Sequence, residues 1–173
     1  MYVASVLEAL GDRDPLQVMR ETPAKLRAIV SELPTRAINT REAPGKWSIR
    51  EVIQHLADSE LVGANRFRMV MAHDSPPLLA YDQDLWAERL RYSDSNVHDA
   101  LEEFSLIRRS NVRLFERASP ADFERVGMHS ERGEESLRHL LKLYAGHDLV
   151  HLRQIDRIRR AVGADQSSQG TGT

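Results

Sequence analysis

Cysteine is absent from this sequence of 173 residues, and its absence excludes several classes of protein. A chain without thiols cannot form disulfides, cysteine zinc fingers or iron–sulfur clusters, and it has no thiol nucleophile. Any metal ion bound to the chain must therefore be held by His, Asp or Glu.

Long apolar runs are missing as well. No stretch approaches the roughly 18 residues needed to cross a bilayer, and the start, MYVASVLEALGDRD, lacks the basic and apolar regions of a signal peptide. We therefore expect a cytoplasmic protein with no membrane partner.

An excess of one charge sign is also lacking. The 24 basic and 26 acidic residues are interspersed and give a formal net charge of −2. Because nucleic-acid-binding proteins usually carry a basic patch, we expect no nucleic-acid partner. A chain of this length can bury one core without a structural metal. We predict a single domain over residues 1–162 and a flexible tail over 163–173.

Apolar residues recur at helical spacing in four long segments, and no segment shows the alternation typical of a strand. The predicted helices cover 14–33, Ser48 to about Met71, about 95–118, and about Ser136 to Val162. Pro23 favours a later start of the first helix. A long crossover over 73–95, with one short helical turn around 84–90, joins the second and third. The pattern predicts an all-α four-helix bundle, with few or no strand residues.

The start of the second helix has the clearest local signals. Ser48 is placed as the N-cap and Glu51, three residues later, as its capping-box partner, while Trp47 is placed to pack against Val52. The preceding segment, TRAINTREAPGK, is predicted to be a loop.

Three histidines lie in or near the apolar stripes of these helices. His147 and His151 are four residues apart and share one helix face, although that spacing alone more often belongs to histidines satisfied by hydrogen bonds or solvent. His55 lies beside the buried stripe of the second helix. If all three point inward they form a three-His site, which is typical of catalytic metal sites with open positions. Asp148 follows His147, so the HExxH motif of zinc peptidases is not present.

Four separated segments resemble the DinB-like proteins, in particular the YfiT-like subgroup, whose members are provisionally named metal-dependent hydrolases. The segments are GKWSIREVIQHLADSE (45–60), YDQDLWAE (81–88), MHSERG (128–133) and LYAGHDLVH (143–151). The resemblance implies a four-helix bundle with one divalent ion, Zn²⁺ or Ni²⁺, bound by His55, His147 and His151. It also implies a small-molecule substrate and suggests a homodimer.

The sequence departs from the relatives around the histidine pair. They often carry an extra histidine or aromatic residue there, whereas this chain has Gly146, Val150 and Gln154. The departure leaves the three ligands intact and concerns the shape of the pocket.

Several further residues are candidates for the site. Asp58, one turn after His55, is a candidate catalytic group that could orient an imidazole or accept a proton, although a surface carboxylate is the commoner identity. Asp148 is a comparable case. Tyr81, Trp86 and Tyr144 are predicted to line the substrate pocket.

Two other sets of polar residues have simpler interpretations. His129 is a candidate for supporting the ligands, although a loop histidine is usually solvated. The arginines at 66, 68, 89 and 91 are interpreted as a solvated charge pattern.

Three functions remain open at this point. The first is a hydrolase in which the ion lowers the pKa of bound water. The second, suggested by other members of the superfamily, is an S-transferase or isomerase that uses a thiol such as bacillithiol or mycothiol. The third is a stress-linked metal-binding module without turnover.

Overall fold

The computed structural model of the chain describes residues 2–169, and the side chains of 3–162 within them. Seven α-helices are present in this range: α1 (Tyr2–Leu10), α2 (Pro15–Glu32), α3 (Thr35–Asn39), α4 (Ile49–Ala72), α5 (Gln83–Arg89), α6 (Val97–Arg117) and α7 (Leu137–Gln169). Three short strands form one sheet: β1 (Pro77–Leu78), β2 (Val126–His129) and β3 (Gly133–Ser136). The long helices α2, α4, α6 and α7 pack as a four-helix bundle, which confirms the predicted fold class.

Two apolar clusters fill the bundle, one towards each end. One contains Leu26, Ile53, Phe104 and Ile155, and the other contains Met19, Phe67, Phe115 and Leu140. Each long helix contributes buried polar side chains between them: Thr22 of α2; His55, Ser59 and Glu60 of α4; Arg108 and Asn111 of α6; Asp148 and His151 of α7. A polar layer therefore crosses the middle of the bundle, and it contains two of the three candidate ligands.

The start of α4 is built as the sequence predicts. The Ser48 hydroxyl accepts a hydrogen bond from the Glu51 backbone N–H, and the Glu51 carboxylate accepts one from the Ser48 N–H at 2.7 Å. Trp47 packs against the apolar cluster that contains Val52. The capping box fixes where α4 begins and hence the helical position of His55.

Replacing Ser48 with alanine should lower the free energy of unfolding by about 0.5–2 kcal/mol, because one buried helix N–H loses its acceptor. Urea denaturation measures the change. Ser31→Ala, at an exposed position within α2, is the control and should change stability by less than about 0.5 kcal/mol. Equal effects of the two substitutions would show that the cap contributes nothing.

Pro23 lies inside α2, so the later start that it favoured is not observed. A proline has no N–H, which leaves the carbonyl four residues earlier without its helical partner. That carbonyl belongs to Met19, and it accepts a hydrogen bond from the Arg108 guanidinium at 3.2 Å. The proline therefore frees an acceptor that the buried arginine uses.

The sheet is a correction to the prediction of few or no strand residues. β2 and β3 form an antiparallel hairpin within the predicted loop that precedes α7, and β1 pairs with β2 in parallel. The strands have two to four residues each, too few for an alternating pattern to be recognised. Gly133, at φ +79°, occupies a backbone conformation in the hairpin that favours glycine.

Other differences concern short or terminal elements. Sequence periodicity did not predict α1, and α3 lies within a predicted loop, whereas α5 agrees with the helical turn predicted around 84–90. α7 continues to Gln169 and so overlaps the predicted tail, of which 170–173 lie outside the described residues. No helix in the described range is long and apolar enough to span a bilayer.

Candidate metal centre

The three predicted histidines converge at the polar layer. The Nε2 atom of His147 lies 3.1 Å from Nε2 of His55 and 3.1 Å from Nε2 of His151. One ring nitrogen from each residue lies within 4.8 Å of the others. Among the described residues, these three form the one group of His, Asp or Glu side chains placed to share an ion.

The hydrogen bonds around the rings fit a metal ion. Nδ1 of His151 lies 2.8 Å from the Gln154 amide oxygen, which can accept only from an Nδ1–H. This bond leaves the Nε2 lone pair directed at the other rings, as in metal-binding histidines. Nδ1 of His55 is buried without a partner. If all three Nε2 atoms are deprotonated, their lone pairs repel one another at these distances, and a divalent cation on three imidazoles would relieve that repulsion.

Burial keeps the three imidazoles neutral. It lowers the pKa of His55 to about 3, with a smaller contribution from the nearby His151, and lowers the pKa of His151 to about 4. Burial and the two neighbouring rings also place the pKa of His147 well below its ordinary value. Neutral imidazole is the form that binds metal, so the site is in its binding state at neutral pH.

Metal affinity should therefore persist to lower pH than the ordinary histidine pKa of about 6.5 suggests. We expect little change between pH 7 and about pH 5, and a steep loss as pH approaches about 4. Histidines with an ordinary pKa would instead lose metal affinity as pH drops through about 6. Titrating the metal-free protein with Zn²⁺ at each pH measures the affinity.

The unfolded chain takes up protons first, because its histidines keep their ordinary pKa. The stability of the metal-free protein should accordingly fall as pH drops from about 6.5 towards 4. His98→Ala, at an exposed residue, should leave both pH profiles unchanged. A fall in metal affinity that begins at pH 6.5 would contradict the lowered pKa values.

A buried ion network, here called the Arg108 hub, lies beside the histidines. The Arg108 guanidinium donates to both carboxylate oxygens of Asp148 and, at 2.8 Å, to Glu60. Glu60 also accepts from the Asn111 amide. Burial lowers the pKa of Arg108, but the two carboxylates outweigh burial and raise it. Asp148, considered a candidate surface carboxylate, is instead buried next to His147.

Asp58 faces a different partner. Its carboxylate accepts a hydrogen bond from the Tyr92 hydroxyl at 2.6 Å and a longer one from Gln54. Burial and this carboxylate raise the pKa of Tyr92 above its ordinary value. The Asp58 carboxylate thus already accepts two hydrogen bonds. Its catalytic role stays a prediction.

A cavity of about 220 Å³ opens beside the histidines. Its walls include His147, Tyr144 and Tyr81, and α1 contributes Val3. Trp86 packs against Tyr81, with ring centroids 4.6 Å apart. The structure thus brings Tyr81, Tyr144 and one candidate ligand to one cavity, while the predicted contacts with substrate stay predictions.

Two residues of the cavity wall differ from the simplest interpretation of the sequence. Arg66, predicted as part of a solvated pattern, is only 6% exposed, whereas Arg68, Arg89 and Arg91 are exposed. His129 is also buried and accepts a hydrogen bond from the Glu131 N–H at Nδ1. Neither burial could be inferred from spacing, because Arg66 contacts the crossover at Leu79 and His129 lies within the hairpin next to Arg66.

Two glycines allow the cavity walls to approach closely. A Cβ atom on Gly146 would lie 2.2 Å from the Val6 carbonyl oxygen, so glycine permits α1 to pack on α7. A Cβ atom on Gly63 would lie 2.4 Å from the Tyr144 ring. Beside the histidine pair, α1 is therefore in direct contact with α7 at Gly146.

Comparison with known proteins identifies the family of the chain. The sequence profile of the DinB superfamily matches residues 19–155. A Bacillus mycoides (strain KBAB4) protein is 29% identical over 158 residues, 91% of this chain and 90% of its own. YfiT of Bacillus subtilis (strain 168) is 29% identical over 152 residues, 86% of this chain and 84% of its own. Both are named metal-dependent hydrolases as a provisional assignment.

The solved structure of B. subtilis YfiT superposes with a TM-score of 0.80 at 26% identity, over 86% of each chain. That protein is described, again provisionally, as a metal-dependent hydrolase with an unusual four-helix bundle topology. Since the profile covers most of the chain and the fold matches that of B. subtilis YfiT, the chain belongs to the DinB superfamily and to its YfiT-like subgroup.

Proposed function

We propose that the chain is a hydrolase that acts on a small-molecule substrate with one divalent ion, Zn²⁺ or Ni²⁺, held by His55, His147 and His151. The observation that carries the proposal is the convergence of three neutral imidazoles beside a cavity. The provisional names of the relatives support the same activity.

A divalent ion on three neutral ligands keeps its double charge and, when bound, lowers the pKa of a coordinated water from about 15.7 towards 7. His147 lies in the cavity wall and is partly exposed, whereas His55 and His151 are buried behind it. The cavity is therefore the side from which a substrate reaches the site.

Two tyrosines can assist from the cavity wall. Burial raises the pKa of Tyr144 and of Tyr81, so both hydroxyls stay protonated at neutral pH. A protonated hydroxyl can donate to a substrate oxygen that gains negative charge during hydrolysis. Asp58 is the remaining candidate proton acceptor, and it would have to exchange its Tyr92 hydrogen bond to act.

The test is hydrolysis by the purified full chain after metal removal and reloading with Zn²⁺ or Ni²⁺. We expect turnover of nitrophenyl esters or small amides only in the loaded protein, loss in His55→Ala, and retention in His98→Ala. Metal binding measured by elemental analysis accompanies each assay.

Two results would overturn the hydrolase proposal. Metal-dependent consumption of added bacillithiol or mycothiol, without hydrolysis of any ester or amide, would indicate thiol transfer. Stoichiometric metal binding with neither reaction would indicate a non-catalytic module.

A further inference from the structure

Arg66 is a buried cation whose donors are poorly satisfied. Its guanidinium donates to the Leu79 carbonyl and makes longer approaches of 3.4 Å to His129 Nε2 and 3.5 Å to the Tyr144 hydroxyl. Its Nε atom is buried with no partner. A guanidinium has five N–H donors, so several have no good acceptor. Among the described side chains of residues 3–162, no ion pair involves Arg66.

The contrast with Arg108 shows what is missing. Arg108 is similarly buried and is neutralised by Glu60 and Asp148. Buried charges in proteins are normally paired, because leaving water without a counter-ion is costly. Arg66 has the burial of Arg108 without its counter-ions, so an anion from outside the chain would complete its environment.

Arg66 also lies on the path to the metal centre. It lines the same cavity as His147. Tyr144 lies between them: its hydroxyl approaches Arg66, and its ring centroid is 6.5 Å from that of His147. A ligand held at Arg66 would therefore extend along Tyr144 towards the three histidines.

We propose that the substrate of this site carries a carboxylate group that binds Arg66 while its reacting group lies at the histidines. This inference rests on the proposed function. It identifies the substrate class as small organic acids bearing a hydrolysable bond, because the planar guanidinium matches a carboxylate.

The charges of the cavity favour a monoanion over a phosphate dianion. Arg132, the other cation in the wall, is already paired with Glu135. Glu131 adds a negative charge to the same wall. The single positive charge of the unpaired Arg66 guanidinium is balanced by one carboxylate of the substrate. The volume of about 220 Å³ is below the usual range of drug-sized pockets and favours a small acid.

The competing interpretation is that Arg66 only braces the crossover through the Leu79 carbonyl. The test compares benzoate with its neutral isostere benzamide, by calorimetric titration of the full chain with and without Zn²⁺. Measurements without Zn²⁺ separate binding at Arg66 from binding to the ion. We expect benzoate to bind the metal-free chain about 10- to 100-fold more tightly than benzamide, as for a charge-assisted hydrogen-bonded pair.

Variants assign the difference to Arg66. Arg66→Met should remove the preference for benzoate, Arg66→Lys should keep part of it, and Arg113→Met, at an exposed arginine of α6, should leave it unchanged. If Arg66→Met does not fold, the Arg66 guanidinium resonances in the wild-type NMR spectrum provide the test. They should shift on addition of benzoate and not of benzamide.

Three outcomes would overturn the inference: equal binding of benzoate and benzamide, an unchanged preference in a folded Arg66→Met, or tighter Arg66-dependent binding of inorganic phosphate. These outcomes are separable from failure of the proposed function. Hydrolysis of neutral esters without a benzoate preference would refute only the carboxylate site, whereas a benzoate preference without turnover would refute only the hydrolase proposal.

Discussion

Replacing His147 with alanine is expected to reduce affinity for Zn²⁺ by about 100- to 1000-fold. Structural zinc sites with four ligands contribute roughly 10–16 kcal/mol, or about 2.5–4 kcal/mol for each ligand. The effect should be largest at His147, because its Nε2 atom lies 3.1 Å from those of both other rings. His55→Ala and His151→Ala should also lose affinity, by smaller factors.

The fold should survive these substitutions, because the two apolar clusters remain intact. Zinc titration with a competing chelator measures the affinity, and circular dichroism reports the helices. His98→Ala is the control and should bind Zn²⁺ as the unmodified chain does. Retention of tight, stoichiometric binding in all three variants would show that the ion is held elsewhere.

Replacing Arg108 with methionine is expected to destabilise the fold by about 3–5 kcal/mol, because it leaves the Glu60 and Asp148 carboxylates buried without a cation. A domain is typically stable by only about 5–15 kcal/mol, so this single change should remove a large part of the total. Urea denaturation at pH 7 measures the loss.

The neighbouring Arg109 offers a matched control. It is exposed, and Arg109→Met should change stability by less than about 0.5 kcal/mol. A triple variant combines Arg108→Met with Glu60→Gln and Asp148→Asn. It should recover part of the stability lost in Arg108→Met, because it has no buried carboxylate without a counter-ion. Equal stability of the Arg108 and Arg109 variants would indicate that the Arg108 hub contributes little.

Local signals in the sequence predicted the features that depend on neighbouring residues. The capping box at Ser48 and Glu51 depends on residues three apart, and the shared face of His147 and His151 on residues four apart. Their meeting with His55 depended on bundle packing and on the family resemblance. The divalent ion and the hydrolysis that the resemblance implies stay proposals.

Burial of charged residues was not predictable in the same way. Arg66 and Arg108 have the same side chain as many exposed arginines, and only partners distant in sequence distinguish them. Asp148 was interpreted as a possible surface group because its partner, Arg108, is 40 residues away. The hairpin was missed because its strands have four residues each, too few to establish a period.

The Arg108 hub joins all four long helices at one guanidinium, through Met19 of α2, Glu60 of α4 and Asp148 of α7, with Arg108 itself on α6. Glu60 follows His55 by five residues, and Asp148 follows His147 directly. The helices that carry the ligands are therefore fixed along their axes before any ion arrives. The entropy lost in ordering the ligands is lost during folding rather than during metal capture. Metal exchange should thus proceed without unfolding, at a rate set by passage through the cavity, and the ion carried would follow the local supply of metals.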